Sequence, residues 1–157
     1  MSNKYEIHVN IAEVKTGKSD DMLKATLGSC VGIAFLWKEK GIYGLAHCLL
    51  PESTEQNFGI GAKYVTQAIP SLIALMKIDK SDVRKIEVIL AGGGNMMAQL
   101  SAHNQNHIGT QNIEAARKNL KAQGFRIKRE EVGGVEGRQI FIDCISGEVE
   151  VVKLSPI

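Results

Sequence analysis

The chain has few of the residues that would commit it to a special environment. Three cysteines in 157 residues, with no CxxC spacing, make neither a disulfide framework nor a zinc ribbon, so free thiols in a reducing compartment are expected. No apolar run approaches the length of a membrane span, and the amino terminus MSNKYEIHVN is polar where a signal peptide needs an apolar core. Direct membrane insertion is therefore not expected, and a cytoplasmic location is. Charge of one sign is lacking too. Nineteen lysines and arginines against 17 aspartates and glutamates, interspersed, leave no basic stripe to follow a phosphate backbone, so nucleic acid is not an expected partner. With no repeat or low-complexity tract, the length suits a single domain over 1–157 with one buried core.

What is present is mostly strand. Apolar runs at Tyr5–Val14, Met22–Leu27, Cys30–Trp37 and Ile42–Leu50 read as successive strands, with KEKG at 38–41 as a turn. From Gly59 to Ile78 the apolar positions recur at helical spacing, with Pro70 either kinking that helix or marking its start. A second helix spans about Ile108–Gln123, with Ile113, Ala116 and Leu120 on one face and Gly124 as its stop. KIEVILAGGG reads as a buried strand entering a triple glycine; FRIKREEV, RQIFIDC and EVEVVKL complete the β content, with a Ser146–Gly147 turn. The expected class is α+β: a layered sandwich, mostly antiparallel or mixed sheet, with two main helices packed on it.

The stretch LGSCVG, Leu27 to Gly32, raises the chemical question. If Cys30–Trp37 and Ile42–Leu49 pair around the 38–41 turn, Cys30 faces Leu49 and His47 faces Gly32. Cys30 and His47 then project from one side as diagonal neighbours, Cα atoms about 7–8 Å apart. A slip of one residue would put Cys48 on that side and turn His47 away. A neutral His47 in reach can take the thiol proton and leave a thiolate able to attack a carboxamide or ester carbonyl. Gly28 and Ser29 let the backbone bend so that main-chain amides can bind the oxyanion. From residue types alone, the favoured reading is of Cys30 as a core thiol and His47 as a satisfied strand histidine.

Other groups carry less. AGGGNMM, Ala91 to Met97, lacks the lysine and hydroxyl of a phosphate-binding loop and reads as a tight strand exit. His103 and His107 lie four apart in an asparagine-rich loop with no HExxH pattern, so no metal site is expected.

Five ordered stretches extend the reading: LGSCVGI, GLAHCLLP, AGGGNMM, IGTQNIEAARKNLKAQGF and EEVGGVEGRQIFIDCISGEV. In that order they resemble the successive blocks of the CheD family of chemoreceptor glutamine deamidases. The resemblance implies a layered α+β fold, Cys30 as nucleophile, His47 as base, and Gly93, Gly94 and Asn95 as a wall of the substrate cleft. It implies no cofactor. As partners it implies the cytoplasmic helices of chemoreceptors and a CheC phosphatase. The family's third catalytic residue is commonly a threonine six positions before the cysteine, where this chain has Lys24. Thr26 is the expected substitute in orienting His47; Ser29 or a bare dyad are the alternatives. Lys24 also motivates a competing class, a catalytically weakened binding module that keeps the receptor or regulator surface.

Overall fold

In the segment Val31–Trp37 every residue is apolar or glycine, and every one is buried. A strand covered on both faces shows no alternation, and this one, β4, lies inside a five-stranded sheet. The computed structural model describes residues 5–55, 59–95 and 107–154. Within these, β1 (Tyr5–His8), β3 (Asp21–Leu27), β8 (Arg138–Asp143) and β9 (Glu148–Lys153) form one sheet in the order β1-β3-β8-β9. β2 (Val14–Lys18), β4, β5 (Ile42–Cys48), β6 (Glu87–Gly92) and β7 (Ile127–Val132) form the other, in the order β2-β5-β4-β6-β7. Both sheets are mixed, since β1 runs parallel to β3 and β6 parallel to β7. The architecture is α+β, as the sequence predicts.

Two cores result. On one face of the five-stranded sheet, Val31, Ile33, Phe35, Trp37, Ala46 and Cys48 pack beneath α1 (Val65–Met76) and α2 (Ile108–Ala122). On the other, Ala34, Leu36, Tyr43, Leu45 and Ile89 meet Leu23, Ala25, Leu27, Ile140 and Ile142 of the second sheet. The α2 stripe Ile113, Ala116 and Leu120 is buried as expected, and Gly124 follows the helix at φ 87°, a left-handed stop suited to glycine.

Two expectations need correction. The helix read from Gly59 begins only at Val65, with Pro70 inside it, because residues 61–63 spend their amides on bonds outside any helix: Gly61 to Ser71, Ala62 to Ala12, Lys63 to Gln67. The run Tyr5–Val14 is not one strand. It breaks at a turn in which the Glu13 amide bonds the Asn10 carbonyl at 3.0 Å, and the chain passes from one sheet (β1) to the other (β2). The 3-10 turn Lys80–Lys85, closed by reciprocal Asp79–Asp82 capping, carries no hydrophobic period and escaped the sequence reading.

Candidate active site

The 38–41 turn fixes the register of β4 and β5. Gly41 takes φ 64°, and Val31 pairs with Cys48 and Gly32 with His47. The alternation then sends Cys48 under the helices and Cys30 between the sheets. His47, two residues beyond Leu45, shares the side of Cys30. Both are nearly closed off, Cys30 at 6% exposure and His47 at 3%.

His47 is held along its whole length. Its amide bonds the Glu13 carbonyl and its carbonyl accepts from the Ala12 amide, each at 2.9 Å. Its Nδ1 lies 2.9 Å from the Val9 carbonyl oxygen. A carbonyl can only accept, so Nδ1 carries the hydrogen and Nε2 presents a lone pair. Nε2 is buried and has no hydrogen-bond partner among the described residues. Burial pushes the imidazole pKa down, opposed by the Val9 bond and by the Glu13 carboxylate. Burial likewise pushes the Cys30 thiol up, opposed in part by a backbone bond. Each shift disfavours the charged form of its group.

The backbone before β4 is anchored by its carbonyls. Gly28 accepts from the Gly94 amide at 2.9 Å, Ser29 from Asn112 Nδ2 at 3.0 Å and Cys30 from the Gly93 amide at 2.8 Å. In a trans peptide the C=O and N–H point opposite ways, so tethering the Ser29 carbonyl to α2 turns the Cys30 N–H away from that helix. Asn112, fully buried, also bonds the Leu49 carbonyl at 3.1 Å, so one amide group joins the segment just before β4 to the residue just after β5. Gly92, at φ 98°, sits where a Cβ would collide with the Cys30 carbonyl; no other residue fits there. Buried Arg138 bonds the Gly133 carbonyl at 2.8 Å and reaches that of Gly92 at 3.5 Å, cross-linking the two glycine-rich loops.

Comparison with known proteins shows the family of the chain. Residues 49–153 match the family described as CheD chemotactic sensory transduction. A protein of Ruegeria sp. named Probable chemoreceptor glutamine deamidase CheD 2 is 36% identical, with 95% of this chain and 92% of that one covered. The chain belongs to the CheD family. Proteins of Bdellovibrio bacteriovorus and Methanococcus maripaludis, both named Probable chemoreceptor glutamine deamidase CheD, are 36% and 40% identical over 95% and 96% of this chain and 95% and 97% of theirs. A solved structure of a Neisseria meningitidis protein of the DUF152 family overlaps at TM-score 0.48 and 11% identity, covering 83% of this chain and 63% of that one, too little to argue from.

Within this CheD-family chain the other anticipated residues are placed as follows. Gly93 and Gly94 bond the backbone of the Cys30 segment, and the Asn95 amide bonds the Gly134 carbonyl at 2.8 Å. Thr26 does not approach His47. It is exposed on the outer face of β3, where its hydroxyl accepts from Gln139 Nε2 at 3.3 Å. Leu23, Ala25 and Leu27 take the inner face, so Lys24 and Thr26 turn outward together, and the Lys24 ammonium lies 5.4 Å from the Phe141 ring centroid. The partner of Nδ1 is the Val9 carbonyl, and Thr26 as the orienting group is corrected accordingly. His107 caps α2, accepting from the Thr110 amide, while His103 lies outside the described residues. No cluster of three or more His, Cys, Asp or Glu side chains among the described residues is arranged to hold a metal ion, and no helix among them is long and apolar enough to cross a membrane. Val9, Glu13 and Asn112 were not anticipated. For Asn112 the signal was a polar residue on the buried stripe of α2.

Proposed function

We propose that the chain hydrolyses the side-chain amide of selected glutamines on chemoreceptor cytoplasmic helices, giving glutamate and ammonia. The observation that carries this reading is the unpartnered Nε2 of His47 on the same side of the hairpin as Cys30, its tautomer set from behind by Val9. Nε2 takes the Cys30 proton, and the thiolate attacks the carboxamide carbon. The developing oxyanion is stabilised by the Cys30 N–H. The imidazolium gives its proton to the departing amine; the C–N bond breaks and a thioester remains. His47 then deprotonates a water that opens the thioester, and the thiol regains its hydrogen. The relatives' names support the substrate class. With both groups nearly closed off, a slim, extended side chain such as glutamine suits the approach.

The reading extends to the whole chain as one domain working in the cytoplasm, with the Gly93–Asn95 loop as a wall of the substrate cleft and a CheC-type phosphatase as a second partner of that cleft. Incubation with receptor cytoplasmic fragments, followed by peptide mass spectrometry, should show a gain of about one mass unit at particular glutamines together with ammonia release. Unmodified fragments would leave a non-catalytic binding module as the reading.

A further inference from the structure

We propose that the turn Val9–Glu13 is the third component of the site: its backbone orients the catalytic histidine, and Glu13 is the positioning residue that holds it. The inference rests on the reading of Cys30 and His47 as the reacting pair. Thr26, the group expected to orient the imidazole, is exposed beside Gln139, and Lys24, at the position where the family commonly has threonine, lies over Phe141. Nδ1 nevertheless has a partner at 2.9 Å, and it is a main-chain carbonyl.

A carbonyl orients a ring only as well as its own backbone is fixed. Val9 is 2% exposed, and its amide bonds the Lys24 carbonyl of β3 at 2.8 Å, so the residue is fixed between β3 and His47. The next three residues close a tight turn. The Glu13 amide bonds the Asn10 carbonyl at 3.0 Å, and Glu13 Oε1 accepts from the Asn10 backbone amide at 2.8 Å, so Glu13 satisfies both backbone polar groups of Asn10. The Glu13 carbonyl accepts from the His47 amide, which ties the same residue to the strand it serves. Ala12 sits at φ 71°, a left-handed conformation that costs a non-glycine residue about 1 kcal/mol or more. Its amide and carbonyl are both used, on the His47 carbonyl and the Ala62 amide, at 2.9 and 2.8 Å. The turn is thus over-determined around one histidine. The Glu13 carboxylate, besides, favours the imidazolium that forms when the thiol proton moves.

The test reads the ring itself. In protein labelled with 15N, long-range 1H–15N correlation at a pH where the imidazole is neutral should show His47 Nδ1 as protonated and Nε2 as bare, the signals being assigned by their loss in His47→Gln. A protonated Nε2 in the unaltered protein would overturn the assignment. Glu13→Ala should populate the other tautomer and lower kcat on a receptor fragment by about 10- to 100-fold with KM little changed. Glu13→Gln, whose amide oxygen can still accept from the Asn10 amide, should restore the Nδ1–H tautomer and most of the turnover. A folded Glu13→Ala that keeps both tautomer and kcat would overturn the role of Glu13. Full turnover by His47→Gln would instead sink the dyad, an outcome separate from either.

Discussion

The two faces of the β4–β5 hairpin are both buried, and each carries a cysteine. On the helix face Cys48 lies at 0% exposure among Val31, Ile33, Phe35 and Ala46, and burial drives its thiol pKa far up. On the face between the sheets Cys30 stands at the end of the apolar cluster, and His47 offers an unpartnered nitrogen. The residue type is the same and the burial nearly so. What differs is the neighbour and the backbone: Cys48 lies within a regular ladder, whereas Cys30 precedes one, its carbonyl held by the Gly93 amide. A thiol becomes a nucleophile where a base can take its proton and donors can meet the product charge, and in the function proposed above one face of this hairpin supplies both.

The comparison breaks most sharply by removing each thiol in turn. Cys30→Ala should abolish deamidation, by at least about 10³-fold, while leaving the melting temperature nearly unchanged. Cys48→Ala should do the reverse, costing about 1 kcal/mol of stability through the lost sulfur packing and leaving turnover per folded molecule as it was. Comparable activity in the two variants would end the distinction between the faces.

A smaller effect separates the faces by pH. Burial lowers the His47 pKa, so its imidazole stays a competent base below the usual value near 6.5, and the acid limb of kcat/KM should fall under that value. The stability consequence has a definite sign. Between the folded and unfolded pKa values the unfolded chain binds a proton that the native one does not, so stability falls as pH drops below about 6.5. His47→Gln should flatten that part of a melting-temperature profile; an unchanged profile would show that His47 is not the buried group responsible.

The smallest expected effect lies on the outer sheet. Thr26→Val and Lys24→Thr each alter an outward-facing side chain of β3 and should change stability by no more than about 0.5 kcal/mol. Activity on a receptor fragment should stay unaltered for both. A substantial loss in Thr26→Val would return the hydroxyl to the mechanism and sharpen the contrast differently.

Much of this is legible in the sequence. With the KEKG turn centred as expected, period-two alternation puts Cys30 and His47 on one side, and the observed pairing excludes the one-residue slip that the sequence left open; α2 was readable because Ile113, Ala116, Leu120 and the terminal Gly124 all agree. Alternation also paired Lys24 with Thr26. It could not say which face of β3 would be covered, and that depends on the second sheet closing over Leu23, Ala25 and Leu27.

The sequence by itself determined most of the element types and a favoured hairpin register, because both follow from spacing along a few consecutive residues, and it left open the one-residue slip that the observed pairing excludes. Tertiary structure alone decided what surrounds Cys30 and His47. Asn112 reaches Ser29 and Leu49 across separations of 83 and 63 residues, and Val9 reaches His47 across 38. The last contact uses a carbonyl that every residue possesses, so no side chain announces it. It exists because the run Tyr5–Val14 breaks and joins two different sheets, bringing the turn against the edge of β5.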